Sequence, residues 1–281
     1  MRALGENLTV PFENGVIYQH TSQEEAVLSI RVGVAGWSIP SALAGRFPTT
    51  GTHLERYGAR FPAVEINSSF YRPHRRATYE RWAASVPAGF RFSVKLPKAI
   101  THERRLIDCG ALIARFAEET DGLGDRRGPI LVQLPPGFAY PGDVAERFLG
   151  ELKAAIPGAV VLEPRHASWF QPAVDHMLQR QQVSRVAADP ARPPPAAQPG
   201  GWSGLAYFRL HGSPRMYESA YGKEAIEAHA QVVTSLDARG VDVWTIYDNT
   251  TFGAAMRNAL ELMDAVVRDS SGNQSSRSRQ P

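Results

Sequence analysis

A chain of 281 residues with 43% apolar and 21% charged side chains is neither a disordered nor a fibrous polymer, and it can bury a large core. Its formal charge of +3 is too small for a dedicated nucleic-acid binder with a clustered basic face, but it leaves room for an anionic ligand. The single cysteine, Cys109, excludes an intrachain disulfide and a Cys-rich zinc site.

Residues 1–28 have mixed polarity and no sustained period, and read as an N-terminal extension. They carry Glu6, Glu13, Glu24 and Glu25 where an export signal would be basic and then apolar, and no apolar run approaches the roughly 20 residues of a membrane span. A cytoplasmic protein without membrane contact is expected. The body runs from 29 to 268 as one domain. Short apolar runs recur at VGVAG, AVEINSSF, FRFSVKLP, PILVQLPP, AVVLEPRH, VSRVAAD, LAYFRLHG and DVWTIYDN, giving eight candidate strands. Helical spacing fills most of the intervals, at HLERYGARF, TYERWAASV, ALIARFAEE, GDVAERFLGELKAAI, WFQPAVDHMLQRQQ and KEAIEAHAQVVTSLDA, with AAMRNALELMDAVV after the last strand. Residues 269–281, DSSGNQSSRSRQP, offer nothing to a core and read as a disordered tail.

Strand followed by helix, repeated about eight times, predicts an α/β fold of the (β/α)8 TIM-barrel type. Between the sixth and seventh strands DPARPPPAAQPGGWSG is too rich in Pro and Gly for a helix, so a loop is expected there. A doubly wound open sheet would alternate in the same way, but no GxGxxG turn follows the first strand and no phosphate-loop motif is present.

Successive strand residues face opposite sides, and the split is informative. Val64 and Ile66 leave Glu65 and Asn67 on the other face; Phe92, Val94 and Leu96 leave Ser93 and Lys95; Ile130, Val132 and Leu134 leave Gln133. Val160 and Leu162 leave Glu163 and Arg165, and Phe208 and Leu210 leave Tyr207, Arg209 and His211. The sixth strand offers Arg185 and Asp189 on one parity. The eighth is ambiguous between Tyr247 with Asn249 and Trp244 with Asp248. Most of these polar residues fall near the C-terminal ends of their strands, where barrel enzymes hold their sites. A purely structural alternative is that Glu65 and Glu163 pair with Lys95, Arg165 and Arg209 in a buried ionic network. Such a network is a poor source of stability, and a core built for stability alone would use apolar layers.

The ordered motifs AGWSIP, FPAVEINSSFYRP, FRFSVKLPKAITH, ILVQLPPGF, VLEPRHASW, YFRLHG and YDNTTFGAAMRNALEL resemble the YecE-like family, domain of unknown function family 72, over about residues 31–262. The resemblance implies a TIM-barrel fold and no assigned chemistry. Two departures stand out: similar sequences usually read FNN where this chain has Tyr247, Asp248 and Asn249, and they commonly carry an aromatic at the position of Pro164.

Glu65 and Glu163 are the candidate general acid and base, because a carboxylate half buried among cations can have its pKa moved either way. A glycosidase pair would also need two carboxylates, but the commonest barrel glycosidases place them on strands four and seven, where this chain has Gln133 and Arg209. His211 is a candidate proton shuttle and His102 a ligand contact, both just past strand ends. Lys95, Arg165 and Arg209 would hold an anion, with Lys95 also counted among the catalytic candidates. Trp37, Asn67, Tyr71, Gln133, Tyr221 and Asn249 complete the expected substrate contacts, and Trp169 and Tyr217 an aromatic rim. Thr250, Thr251 and Gly253 could offer helix-start N–H groups to an anion or merely cap that helix. Cys109 is a weak candidate nucleophile. A divalent metal could be held by Glu65, Glu163, Asp189 and His211, but nearby cations disfavour it. The leading expectation is thus an enzyme acting on a small phosphorylated or carboxylated substrate. The alternatives are a metal-dependent hydrolase of phosphodiesters or nucleic acid, and a non-catalytic module binding anions or nucleic acid.

Overall fold

A computed structural model describes residues 30–277; the extension read at 1–28 lies outside the described residues. Parallel strands form two sheets. In the first, β1 (Ile30–Val34), β10 (Asp242–Tyr247), β9 (Leu205–Leu210) and β7 (Ala187–Asp189) lie side by side in that order. In the second the order is β2 (Ala63–Ile66), β3 (Arg91–Lys95), β4 (Arg127–Gln133), β5 (Val160–Glu163) and β6 (Val183–Arg185), with the short β8 (Gly200–Gly201) antiparallel to β6. The helices are α1 (His53–Gly58), α2 (Ser68–Tyr71), α3 (Arg76–Ala84), α4 (Gly110–Thr120), α5 (Asp143–Ala155), α6 (Pro172–Arg180), α7 (Lys223–Asp237) and α8 (Ala254–Arg277).

Local chemistry explains several of these boundaries. Thr52 and Glu55 form a reciprocal capping box at the start of α1, and Pro172 opens α6, where its missing N–H costs nothing. Between β7 and β9 the Pro- and Gly-rich stretch makes one 3-10 turn at Pro194–Ala197 and the two-residue β8, with no α-helix. The last helix runs on to Arg277, so the reading of 269–281 as a disordered tail is corrected for residues 269–277: a helix already packed further back extends at one hydrogen bond per added residue, even where no apolar side chain follows. Among the described residues no helix is long and apolar enough to cross a membrane.

Alternation along the strands sorts the core into two layers. Val64, Ile66, Phe92, Val94, Val132, Leu162 and Phe208 pack toward the helices. Ala63, Leu131, Val161, Val186, Leu205, Tyr207, Trp244 and Ile246 pack together on the opposite face, with the Tyr207 and Trp244 rings stacked at 5.9 Å. This resolves the eighth strand in favour of Trp244, Ile246 and Asp248. It also corrects the sixth: Val186 points to the inner layer, so Arg185 and Asp189 point outward. Arg185 donates to Asp175 of α6 at 3.2 Å, and Asp189 accepts from the Tyr221 hydroxyl at 2.7 Å.

The seam between β1 and β2 carries one parallel bridge, Ala35 to Glu65. Gly33 makes the close approach possible, because a Cβ there would lie 2.4 Å from the Ala63 carbonyl oxygen. The Tyr57 hydroxyl, buried on α1, accepts from the Val34 N–H at 3.0 Å and donates to the Ala63 carbonyl at 2.8 Å.

Candidate functional site

At the C-terminal ends of β2, β5, β9 and β10, Arg209 gathers three carboxylates around one guanidinium. Its Nε and Nη2 donate to the two oxygens of Glu65 at 3.0 and 2.8 Å, its Nη1 to Glu163 Oε2 at 2.6 Å, and its Nη2 also to Asp248 Oδ2 at 2.8 Å. Arg209 and Glu65 are both fully buried. The fork of an arginine suits this role because its donors are fixed in a plane and its charge cannot be lost. Glu65 is closed off further by the Tyr207 hydroxyl, which donates to Oε2 at 2.9 Å.

Glu163 accepts at Oε1 from Gln133 at 3.0 Å and from Arg165 Nη2 at 3.1 Å. Burial disfavours its charge, yet Arg209 first and then His211 and Arg165 hold its carboxyl well below the usual range. His211 lies between two carboxylates, with Nδ1 3.1 Å from Asp248 Oδ2 and Nε2 3.2 Å from Glu163 Oε1. Burial works against an imidazolium, but Glu163 and the hydrogen bonds outweigh it and raise the pKa. Asp248 is likewise buried, and Arg209 and His211 push its pKa down. With His211 protonated, four cations (Lys95, Arg165, Arg209, His211) face three carboxylates (Glu65, Glu163, Asp248), an excess of one positive charge.

The open side of this cluster is defined by what remains partly exposed. The Arg165 side chain is 22% accessible and that of Asp248 11%, against 2% or less for Glu65, Glu163, Arg209 and His211. Among the described residues no hydrogen bond reaches Asp248 Oδ1. The Lys95 ammonium sits 4.2 Å above the Phe70 ring centroid, and the His102 ring meets the edge of the same Phe70 at 5.0 Å. Burial, then Lys95 and Arg165, lower the His102 pKa. Tyr217 leans edge-on against the His211 ring at 5.6 Å.

The structure thus brings together Glu65, Lys95, Gln133, Glu163, Arg165, Arg209 and His211, with His102 beside them. It does not bring in Trp37, which packs edge-on against Trp82, or Tyr71, which is 74% exposed. Asn67 precedes α2 with its Oδ1 buried and unpartnered among the described residues. Tyr221 turns to Asp189, and Asn249 donates to Ser219 O and Asn258 Oδ1; both belong to the helix side of the sheet. Trp169 is no rim residue: it is buried, with its indole N–H given to the Phe138 carbonyl at 2.8 Å. The N–H groups of Gly253 and Ala255 are spent on Thr250 O and Asn249 O, which removes two donors from the expected anion site before α8. Cys109 is buried, and burial raises its pKa, as befits a structural thiol.

Asp248 is the residue absent from the expected set that the cluster requires. Its signal was the carboxylate standing where similar sequences carry an amide. Asp189 lies on the outer face, so the four-residue metal set is not assembled, and no other group of three or more His, Cys, Asp or Glu among the described residues is arranged for a metal. Cavities of about 540 and 870 Å³ also lie on that outer face, between the 197–206 segment and α7, where the Pro/Gly stretch supplies no helix to cover the sheet.

Fold and site define an α/β protein of parallel strands with a buried cluster of carboxylates and cations at the strands' C-terminal ends. The chain belongs to the family described as "Protein of unknown function DUF72", whose profile matches residues 31–281. It is similar to the UPF0759 protein YecE of Escherichia coli, 30% identical over 178 residues, a match spanning 60% of this chain and 62% of that protein's length. It is also similar to the UPF0759 protein YunF of Bacillus subtilis, 23% identical over 86% of this chain and 96% of that one. A crystal structure of a DUF72 family protein from Enterococcus faecalis shares the fold, with a TM-score of 0.72 at 22% identity over 85% of this chain and 95% of that one.

Proposed function

We propose that the two sheets close into one (β/α)8 barrel and that the chain is an enzyme using acid/base chemistry on a small anionic substrate at the barrel's C-terminal mouth. Closure is supported by the Ala35–Glu65 bridge and by residues 183–189, which pair with β5 through β6 and with β9 through β7. The anionic substrate rests on the charge imbalance: the carboxylates are consumed by Arg209, His211 and Arg165, and Lys95 with the outer part of Arg165 remains for a ligand. Arg in such a position grips carboxylate or phosphate through charge-assisted hydrogen bonds.

The acid/base role passes from Glu65 and Glu163 to Asp248 and His211. Every oxygen of Glu65 and Glu163 already accepts from a donor, so neither can reach a substrate proton without breaking a buried bond. Asp248 has an open oxygen to act as base, and His211 behind it holds a proton to return. Glu65 and Glu163 are positioning residues that orient Arg209 and Arg165. The test is titration calorimetry with inorganic phosphate. Arg165→Ala should weaken binding by about tenfold or more, and equal affinity in wild type and variant would overturn the reading.

A further inference from the structure

Lys95 differs from the other cations of the cluster. Arg209, Arg165 and His211 each contact a carboxylate oxygen, whereas Lys95, among the described residues, makes no hydrogen bond or salt bridge through its amine. Its stem is buried, the residue is 8% exposed, and its nitrogen rests over the face of Phe70 at 4.2 Å. Glu65, Glu163 and Asp248 are near enough to act on its charge, yet burial first and Arg209 second prevail and bring its pKa down to about 8. Far more of the amine is therefore neutral, with its lone pair available, than for a lysine at its ordinary value.

We propose that Lys95 is a nucleophile that forms an imine with a small aldehyde or ketone carrying a carboxylate or phosphate, which rests on the reading of an anionic substrate given above. The geometry supplies each part. Arg165 lies near Lys95 and offers the cationic seat for the anionic group, with the imidazole of His102, whose pKa is lowered, beside them. The Phe70 ring shields one side of the amine. The open oxygen of Asp248 can carry protons between nitrogen and oxygen. In the step, the neutral amine attacks the carbonyl carbon; a C–N bond forms, the C=O π pair moves to oxygen, and the proton shed by nitrogen is delivered to that oxygen. The carbinolamine then takes a second proton on its hydroxyl, loses water and leaves the iminium, so one water departs per imine and no electrons are exchanged with any other species.

The experiment is borohydride trapping on the full chain with glyoxylate as the probe, followed by digestion and peptide mapping. The other lysines, Lys98, Lys153 and Lys223, serve as internal controls. A carboxymethyl adduct should appear first on Lys95, its rate rising with pH through about 8. Inorganic phosphate should suppress it, and Lys95→Arg, which keeps the charge but lacks the nucleophilic amine, should lose it. Labelling confined to the other three lysines, in protein that still binds phosphate, overturns the imine and leaves the anion site standing. Adduct on Lys95 that phosphate neither suppresses nor competes with supports the nucleophile and overturns the anionic reading. The map on wild-type protein decides between these even if Lys95→Arg fails to fold.

Discussion

Three carboxylates share the fully buried guanidinium of Arg209, and only Asp248 among them keeps some exposure. Desolvating such ions costs several kcal/mol each, and the arrangement holds only while the geometry is complete. Arg209→Met should therefore destabilise the protein by at least about 3–5 kcal/mol in urea titrations, because it strands buried negative charge. Lys95→Met should act in the opposite direction, raising stability at neutral pH by roughly 1–3 kcal/mol while phosphate binding falls, since a buried ammonium without a carboxylate partner opposes folding. Unchanged or reduced stability of that variant would contradict the account of Lys95 as a residue retained at a cost to the fold. Asp248 is a third case. Asp248→Asn removes a carboxylate from one side of His211 and should lower the imidazole pKa by roughly one unit, readable by NMR titration of the ring. Alternation within the strands was enough to nominate Glu65, Lys95, Gln133, Glu163, Arg165, Arg209 and His211. It failed at Asp248 and Asn249 because both faces of β10 carry polar and apolar side chains, so the two-residue period alone did not tell which face is the inner one. It failed at Arg185 because an outward polar residue found its partner, Asp175, on a helix.

At the scale of elements, the β1–β2 seam is held less by ladder bonds than by one tyrosine and one glycine. Tyr57→Phe keeps the ring and deletes the hydroxyl, leaving the Val34 N–H and Ala63 C=O without that partner inside the core. A loss of about 1–3 kcal/mol is expected in thermal or denaturant melts. Gly33→Ala should cost at least about 1–3 kcal/mol by pushing the strands apart at Ala63. Tolerance of both changes would mean that the seam is already open. The helices were legible from spacing, caps and prolines, all local signals. The missing helix before β9 was equally legible, since proline removes the donor that a helix needs. The crowding at Gly33 was not, because its neighbour Ala63 is distant in sequence.

For the whole molecule, the ion cluster ties stability to pH from two sides. The folded-state pKa of His211 is raised, so its contribution is fully present below the reference value of 6.5 and is lost as pH rises through the higher folded value. Those of Glu163 and Asp248 are lowered, so their contributions are present above 4.5 and 3.8 and are lost as pH falls through the lower folded values. Denaturant melts across pH should show the cluster's greatest stabilisation between about 4.5 and 6.5. His211→Gln should flatten the alkaline decline, and a decline identical to wild type would remove His211 from the cause.

What the sequence by itself determined is the succession of parallel strands and helices, the polar face of each strand and the family, because these depend on local periods and ordered motifs. What only the tertiary structure decided is which of those polar groups meet. Arg209 and Glu65 are 144 residues apart, and their bidentate contact turns an expected anion-binding residue and an expected acid/base residue into a closed ion pair. By taking the carboxylates, that pairing leaves Lys95 as the amine without an acid, because charge neutralisation in a buried site depends on distances that no local pattern records.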